Sequence, residues 1–530
     1  MMKKLFVLFT LSLVIEIYPQ FIPESFSLSG EKKHLNKLFD SNPVSNTITD
    51  IVTIGDTVWI GTSRGVSVSY DRGENWTNFY NTEVFGDLGV SAVAYNKYDG
   101  SVWIATAQDV EIPGGETLPE GRGYKYSTDG GLNWSSVPQP IDDPGDSLIA
   151  YGINDGINLP FVRALPITTG INNVTYDIAF TDGVIWIASY ASGLRKSTDR
   201  GQTWQRVVLP SDSLDEVTPY DTIKYALQPV AGDFGPDQNL NHEMFSVISI
   251  NDSTIYAGSA GGIDKSTDGG ISWRKFNHTN QKKPISGNWV VALKYNQSEQ
   301  KLWAGTRRAD DPMEFFGVSS TSDGGENWET FLDDEYVWNL GLKENDIFVA
   351  TNNGIFRSSD EGATWILPNN IIDRNSGVIL TTKEFYSVSA VEENGGVWDI
   401  WLGSGDGLAK LRETSFWQGE WRIYLASQSL VSEKETYCYP NPYSPKLDQL
   451  KIKYSTGGKD APVTIRIFDF GMNYVRTILQ NAMRNKTIAS PPDFWDGKND
   501  AGNVVPNGVY LYRVDVGSDK PLFGKIIVMQ

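Results

Sequence analysis

Acidic side chains are the groups in this sequence that could perform acid–base chemistry. Four long stretches between predicted strands are rich in polar residues: 107–121, 139–170, 211–241 and 307–316. The acidic residues weighed there are Asp142, Asp143, Asp146, Asp155, Asp212, Asp215, Glu216, Asp310, Asp311 and Glu314. A glycosidase needs two carboxylates about 5 to 9.5 Å apart around a sugar. Because the chain has 65 acidic residues, such candidates are expected on solvated loops, and we predict no catalytic residue.

Other catalytic and metal-binding chemistries lack the residues they need. The three histidines, His34, His242 and His278, are too few and too scattered for a nucleophilic triad or a histidine-rich zinc site. Oxygen donors cluster in 233–241, but without the spacing of a calcium loop. We therefore predict no metal and no cofactor.

The charge of the chain excludes two classes of partner. The formal net charge is -20 and the pI is about 4.7. Binding to phosphate backbones and to anionic membranes needs clustered basic residues. We therefore predict that the protein does not bind nucleic acid.

Six other aspartates stand out because their surroundings repeat. Each lies in the pattern Ser/Thr-x-Asp-x-Gly-x-x-Trp. These aspartates are Asp71, Asp129, Asp199, Asp268, Asp323 and Asp360. A run that closes on a small pair precedes each box, and a seventh run has only a degenerate box after it, where Trp417 or Trp421 could replace the missing tryptophan. The runs begin at Trp59, Trp103, Trp186, Tyr256, Trp303, Phe348 and Trp401. We count seven units.

The local pattern within a unit predicts four short strands. In the first unit, 48–54 alternates, 57–62 and 66–70 follow across turns, and 76–80 completes a β-meander. A repeated unit that cannot bury its own apolar face stacks on its copies. Seven meanders that close on themselves predict an all-β fold, a seven-bladed β-propeller.

The repeated pattern resembles the Asp-box, or bacterial neuraminidase repeat, over 44–427. The resemblance implies that each aspartate accepts backbone N–H bonds in the hairpin between strands three and four, and that the tryptophan packs between sheets. The six aspartates are then structural, which agrees with the Asx-turn preference of aspartate. The tryptophans of the two motifs are expected in the core.

The amino terminus has the pattern of a secretory signal. Lys3 and Lys4 precede the apolar run 5–15, which is too short to span a bilayer. We predict a signal peptide at 1–20, an N-terminal segment at 21–43 and no transmembrane span after signal removal. A membrane anchor is the alternative.

The carboxyl terminus predicts a separate domain. After a linker at 428–436, residues 437–530 alternate as short strands with Asp-Gly and Asn-Gly turns, which indicates a small β-sandwich. The segment opens with Tyr-Pro-Asn-Pro at 439–442, continues with Trp-Asp-Gly at 495–497 and ends in Gly-Lys-Ile-Ile-Val at 524–528. It resembles the immunoglobulin-like domain of flagellar hook-capping proteins and the type A sorting domain of the type IX secretion system.

The second resemblance implies a route and a location. The protein would cross the inner membrane by its signal and the outer membrane through secretion machinery that reads the carboxyl-terminal domain. It would then be secreted or on the cell surface of a Gram-negative bacterium, reached via the periplasm. A plain β-sandwich spacer is the alternative interpretation of 437–530.

The long insertions share one face of the predicted propeller, because strands alternate in direction. Long loops on a rigid scaffold are where binding sites tend to lie. Counting back from the strand-two runs places seven residues near the channel mouth: Thr49, Ser91, Tyr176, Ser246, Trp289, Trp338 and Tyr386. We predict ligand contacts from Tyr176, Trp289, Trp338 and Tyr386, with Arg163, Arg307 or Arg308 meeting polar or anionic groups.

The predicted function is binding of an extracellular glycan, peptide or protein partner without catalysis. One alternative is a glycoside hydrolase of sialidase or xyloglucanase type. A sialidase would carry a Phe/Tyr-Arg-Ile-Pro opening, which Phe161-Val-Arg163-Ala-Leu-Pro166 only approaches. Xyloglucanases resemble two propellers facing across a cleft, whereas this chain has one. A second alternative is an assembly factor similar to the photosystem II propellers.

Overall fold

The computed structural model describes residues 42–152, 161–221, 223, 227, 240–309, 311–375, 378–393, 395–426, 436–446, 449–456, 459–484 and 493–529. These residues form 39 strands and one short 3-10 helix, Leu240–His242. Residues 42–426 belong to one compact unit and 436–529 to another. The predicted signal peptide, most of the segment 21–43, most of the linker 428–436 and the oxygen donors at 233–239 lie outside the described residues.

The first unit is a seven-bladed β-propeller. Each blade is an antiparallel meander whose first strand lies innermost. Blade 1 is β1 Ile48–Ile54, β2 Thr57–Thr62, β3 Val66–Ser69 and β4 Thr77–Phe79; blade 2 is β5 Gly89–Tyr95, β6 Val102–Glu111, β7 Thr117–Ser127 and β8 Ser135–Val137. The hairpin β9 Leu148–Ala150 and β10 Phe161–Arg163 lies between blades 2 and 3 in the sequence. Blade 3 is β11 Thr175–Thr181, β12 Val184–Ser189, β13 Gly193–Ser197 and β14 Gln205–Arg206.

The remaining blades follow the same plan with small variations. Blade 4 is β16 Met244–Ser249, β17 Ile255–Ser259, β18 Gly262–Ser266 and β19 Trp273–Phe276; blade 5 is β20 Trp289–Asn296, β21 Lys301–Arg307, β22 Gly317–Thr321 and β23 Glu329–Phe331. Blade 6 has three strands, β24 Val337–Lys343, β25 Asp346–Thr351 and β26 Gly354–Ser358. Blade 7 is β29 Phe385–Glu392, β30 Trp398–Ser404, β31 Leu408–Ser415 and β32 Gln418–Tyr424. β15 Glu216–Val217 extends blade 4 at its outer edge, and β27 Ile371–Ile372 pairs with β28 Ile379–Leu380.

Two insertions that the sequence predicts as loops are partly regular structure. The stretch 107–121 continues the ladder of β6 and β7, which pair as far as Glu111 and Thr117. The stretch 139–170 contains the hairpin β9–β10. Val162 of this hairpin is buried in a small apolar cluster with Ala164, Val208 and Leu227. Each insertion therefore has its own packing or pairing.

The six repeated turns have one backbone conformation. The residue after each aspartate and the glycine that follows both have positive φ, as in Arg72 at 57° and Gly73 at 89°. Arginine and glutamate are tolerated at the first of these positions, but the second is always glycine. At Gly131 an added Cβ would lie 2.8 Å from the ring of Trp59 in the preceding blade. The glycine is therefore required by both backbone and close approach.

Aromatic pairs join neighbouring blades. In four of the six repeated turns the tryptophan packs edge-on against the strand-two aromatic of the preceding blade, for example Trp134 on Trp59 at 5.9 Å and 87°. In the seventh blade, which lacks the repeated turn, Trp417 contacts Phe348 of blade 6 in the same way, at 5.6 Å and 75°. Trp417 therefore replaces the missing tryptophan in this contact, while Trp421 lies on β32.

The ring closes without exchange of a strand. Blade 1 is built wholly from the amino-terminal end of the unit and blade 7 wholly from its carboxyl-terminal end. Trp76 packs edge-on against Trp401 at 6.2 Å, and Arg72 Nη1 lies 3.0 Å from Oδ2 of the buried Asp399. Side-chain packing and ion pairs therefore hold the first and last blades together.

The second unit has two antiparallel sheets around one apolar core. One sheet contains β33 Thr436–Tyr439, β34 Leu450–Tyr454 and β37 Asp493–Trp495; the other contains β35 Ala461–Asp469, β36 Tyr474–Arg484, β38 Gly508–Val516 and β39 Leu522–Val528. The buried rings of Tyr443, Trp495 and Tyr512 lie in this core. Tyr443 donates a hydrogen bond of 3.1 Å to the carbonyl of Trp495.

Candidate functional site

A β-bulge at the same place in all seven innermost strands builds the mouth of the central channel. In blade 1, Ile48 pairs with Thr62 and Asp50 with Gly61, which leaves Thr49 unpaired. A bulge redirects the side chain of its extra residue. The seven bulged residues, here called the mouth ring, are Thr49, Ser91, Tyr176, Phe245, Val291, Trp338 and Tyr386. All of them line one cavity of about 920 Å³.

Two further rings follow below the mouth, because side chains of a strand alternate between faces. The second ring, one residue after the bulge, is Asp50, Ala92, Asp177, Ser246, Ala292, Asn339 and Ser387. The third ring, two residues deeper, is Val52, Ala94, Ala179, Ile248, Lys294, Gly341 and Ser389. The residues between these rings, such as Ile51 and Val93, are buried in the blades. Below the aromatic rings of the mouth, the second ring thus carries two carboxyl groups and the third ring carries small and apolar side chains together with Lys294.

Aromatic side chains form two groups at the mouth. Tyr176 stacks on Phe245 at 5.7 Å and 26°, and Phe245 packs against Trp289 at 5.1 Å. In the second group Trp338 contacts Tyr336 at 5.1 Å and Tyr386 at 5.3 Å. Tyr176 is 40% exposed, so part of this residue is accessible to a ligand.

Arg307 belongs to the second aromatic group. Its guanidinium carbon lies 3.7 Å from the centre of the Tyr336 ring and 4.7 Å from that of Trp338. Nε and Nη2 both donate to the carbonyl of Val337, at 3.2 and 2.7 Å, and Nη1 donates to the Tyr336 hydroxyl at 2.6 Å. Burial lowers the pKa of Arg307 to about 10, so the side chain remains cationic at neutral pH.

The two carboxylates of the second ring join neighbouring blades. Asp50 accepts the N–H of Ile51 and the N–H of Val93 in blade 2, each at 2.8 Å. Asp177 accepts the N–H of Ile178 at 2.8 Å and that of Val247 in blade 4 at 3.0 Å. Burial raises the pKa of both groups, that of Asp177 to about 7, against the opposing effect of these hydrogen bonds and of Lys294.

Some of the predicted ligand residues line the cavity and others do not. Tyr176, Trp289, Trp338 and Tyr386 all line the cavity, and so does Arg307. Arg163 lies exposed on β10, opposite Leu148, and is not among the lining residues. Arg308 is also exposed and does not line the cavity. Whether the lining residues bind a ligand stays a prediction.

Sequence reasoning missed part of the ring. In blade 4 the bulged residue is Phe245 and not Ser246, and in blade 5 it is Val291, two residues after Trp289. The distance along the chain from the bulge to the strand-two aromatic differs between blades, as from Thr49 to Trp59 in blade 1 and from Tyr386 to Trp401 in blade 7, so counting back cannot locate every bulge. The carboxylates Asp50 and Asp177 and the cation Lys294 were also missed, although each lies on an innermost strand one or three residues after a predicted mouth position or bulge.

Several acidic residues of the insertions already have structural partners. Asp142 forms a buried two-point contact with Arg195, at 2.8 and 2.9 Å. Burial alone would raise the pKa of Asp142, but Arg195 and Arg206 hold it below its usual range. Glu314 accepts the N–H groups of Asn288 and Ala309 at 2.9 and 2.7 Å. Asp155 and Asp310 lie outside the described residues.

The aspartates of the repeated turns bond within their own turns. Asp71 accepts the Ser69 hydroxyl and the Asn75 N–H, both at 2.8 Å, while the Gly73 N–H donates to Ser69 Oγ at 2.7 Å. The other five turns repeat this arrangement. In Asp129, bonds from Asn133 and Ser127 lower the pKa to about 2.

The described residues contain no group of three or more His, Cys, Asp or Glu side chains able to hold a metal ion. They also contain no helix long and apolar enough to cross a membrane.

Comparison with known proteins supports the fold. No protein-family model matches the sequence. A probable oligoxyloglucan-reducing end-specific xyloglucanase of Neosartorya fischeri is 34% identical over 100 residues, which are 18% of this chain and 11% of that protein. An ancestral GH74 enzyme superposes with a TM-score of 0.50 and 14% identity over 92% of this chain and 62% of its own. YCF48 from Cyanidioschyzon merolae has a TM-score of 0.41 and 14% identity, over 69% of this chain and 94% of its own.

These similarities concern the fold. The chain spans 62% of the length of the GH74 enzyme and about a tenth of the xyloglucanase. At 14% identity the GH74 superposition shows a shared β-propeller fold and not a shared activity. A propeller hosts many unrelated functions, so function has to be argued from the site.

Proposed function

We propose that the propeller is a binding module that holds an extracellular glycan, peptide or protein partner at the channel mouth and does not alter it chemically. The observation that carries this proposal is the mouth ring, where aromatic side chains from separate blades surround a cavity of about 920 Å³. A concave site with aromatic walls and few polar groups is typical of ligand pockets.

The carboxylates inside the channel support binding over hydrolysis. A glycosidase needs one carboxyl group free to donate a proton and another free to attack or to activate water. In Asp50 and Asp177 both oxygens accept backbone N–H groups of two blades. These side chains therefore serve the joining of blades.

A glycoside hydrolase of xyloglucanase type is the second candidate. The 34% identity to the Neosartorya fischeri protein over 100 residues favours it. In that case one of the insertions would have to supply a carboxylate to the mouth.

A screen with product analysis tests the proposal. The purified protein would be applied to arrays of glycans and peptides, and bound ligands would be examined by mass spectrometry. Binding with intact ligand is the expected result. Cleaved products would establish the hydrolase instead, and absence of binding to either array would refute the channel-mouth proposal for these ligands.

The carboxyl-terminal unit completes the proposal. We propose that residues 437–530 form an immunoglobulin-like domain that addresses the protein to secretion machinery of the outer membrane. The two-sheet arrangement and the Tyr-Pro-Asn-Pro opening support this role. The mature protein would then be secreted or held on the cell surface.

A further inference from the structure

Arg307 differs from the other sheltered arginines of the propeller. Of the described arginines in this unit that are not exposed, the others pair with carboxylates: Arg72 with Asp399, Arg195 and Arg206 with Asp142, Arg357 with Glu413 and Arg422 with Glu74. Within the described residues no carboxylate lies within 4.0 Å of Arg307. A sheltered cation without a counter-ion is costly to keep unless something pairs with it.

The guanidinium of Arg307 is held in one orientation and still has unused hydrogen-bond donors. It carries five N–H groups in a rigid fork. Three hydrogen bonds, two to Val337 and one to Tyr336, orient it, and the rings of Tyr336 and Trp338 contact its faces. One hydrogen on each Nη atom has no acceptor in the described part of the chain. An oriented guanidinium with free Nη hydrogens is suited to a carboxylate.

The position of Arg307 sets the depth at which an anion would bind. Arg307 lines the cavity at the mouth, where it pairs along the ladder with Trp289. Asp50 and Asp177 lie one ring deeper and Lys294 two rings deeper, and burial raises the pKa of both carboxyl groups. An anion that enters from the mouth therefore meets Arg307 before it meets these groups.

The surroundings of Arg307 favour a sugar as the carrier of the charge. Tyr176, Trp289, Trp338 and Tyr386 offer ring faces, and Thr49, Ser91 and Asn339 offer neutral hydrogen-bonding groups between them. A peptide that binds by strand addition would need an open strand edge for main-chain pairing. The innermost strands are already paired with the second strand of each blade, and neighbouring blades pack beside them.

We propose that the channel mouth selects glycans that carry a carboxylate, such as a uronic acid residue, and that Arg307 binds this group through its free Nη hydrogens. This inference rests on the proposed binding function and adds the class of ligand. The acidic sugar would lie against the aromatic rings of the mouth with its carboxylate toward Arg307. Arg307 is thus a specificity residue and has no chemical role in a reaction.

The test compares matched acidic and neutral ligands. Oligogalacturonides and their methyl esters differ only in the charge of the carboxyl group, and their affinities would be measured by calorimetry at two salt concentrations. We expect the acid to bind at least about tenfold more tightly than the ester, with the difference reduced at high salt because the paired charges are partly exposed. In Arg307→Gln the acid and the ester should bind alike.

Controls separate charge from structure. Arg374→Gln removes an exposed arginine that does not line the cavity and should leave the ratio unchanged. Arg307→Lys keeps the charge without the fork and should retain part of the preference. Thermal unfolding of each variant shows whether the mouth is intact, and binding of the ester reports on the aromatic rings independently of Arg307.

The outcomes distinguish the two proposals. If acid and ester bind the wild type equally, or if Arg307→Gln keeps the preference, the binding function stands and this inference is wrong. If acidic peptides bind and glycans do not, the inference is also wrong, because the carboxylate at the channel mouth would then belong to a peptide and not to a sugar. If neither array yields a ligand, both proposals fall together.

Discussion

At the scale of single residues, aspartate has two different structural roles in this chain. In the repeated turns Asp71 and its equivalents accept N–H and hydroxyl groups within eight residues, so their position follows from the local sequence alone. In the channel Asp50 and Asp177 accept N–H groups from the next blade, about 40 and 70 residues away. The first use could be predicted from spacing; the second depends on how blades meet.

Removal of a turn aspartate tests its structural role. Asp268 accepts the Ser266 hydroxyl and the N–H groups of Ile271 and Ser272. Asp268→Ala should lower the free energy of unfolding by about 1 to 3 kcal/mol through these lost bonds, measured by denaturant titration. Asp87→Ala, at an exposed residue, is the control. A variant that keeps its stability but loses ligand binding would show that the turn belongs to the site.

The raised pKa of Asp177 predicts a pH-dependent contribution to stability. The pKa is about 7 in the folded protein, and about 3.9 is usual for an unfolded aspartate. The folded state therefore holds this proton more tightly, so the stability contribution is complete below the unfolded pKa and is lost as pH rises through about 7. Lys294 and Asp50 are the charged groups that act on it.

Substitution by asparagine isolates this effect. Asn339 occupies the same ring position in blade 6 and accepts the Leu340 N–H at 2.8 Å, as Asp177 does with Ile178. The unfolding free energy of Asp177→Asn relative to wild type should therefore rise between pH 4 and pH 8, roughly the interval between the two pKa values. Parallel stability curves across this interval would mean that Asp177 does not titrate there.

The turn glycines act at the scale of the blade. Gly270 has a φ of 82°, and a Cβ there would overlap the indole of Trp186 in the preceding blade. Gly270→Ala should cost about 1 to 2 kcal/mol for the left-handed backbone and about 1 to 3 kcal/mol more for overlap. Gly269 has a φ of 74° but its Cβ would come no closer than 3.9 Å to another group, so Gly269→Ala should cost only the first part. Equal losses in chemical denaturation would refute the close-approach explanation.

The elements were predictable where their cause is local. The repeated turns and the alternation of 48–54 fix the strands and the number of blades, because the same short pattern recurs. The bulges were not predicted: they lie in the ladder between the first and second strands of each blade, and no residue type marks them, since Thr49, Tyr176 and Val291 all occupy the position. Arg307 was considered only as a loop residue, whereas it ends β21 and is fixed by the backbone of blade 6.

Export is a property of the whole chain. If residues 437–530 are an address for outer-membrane secretion, a chain without them should fold but remain in the periplasm of the native host. Cell fractionation and protease treatment of intact cells would locate it. The full-length Asp87→Ala variant is a suitable control, because it should be exported normally. Surface delivery of the truncated chain would show that the second unit is a spacer.

The central claim is that the aromatic mouth binds a ligand without changing it. The most direct measurement is calorimetric titration of a ligand from the array into wild type, Trp338→Ala and Phe470→Ala, with mass spectrometry of the ligand afterwards. Trp338 is in the mouth ring, whereas Phe470 is an exposed aromatic of the second unit. We predict at least about tenfold weaker binding for Trp338→Ala, close to 1.4 kcal/mol, no change for Phe470→Ala and an intact ligand throughout. Unchanged affinity in a folded Trp338→Ala, or a cleaved ligand, would contradict the account.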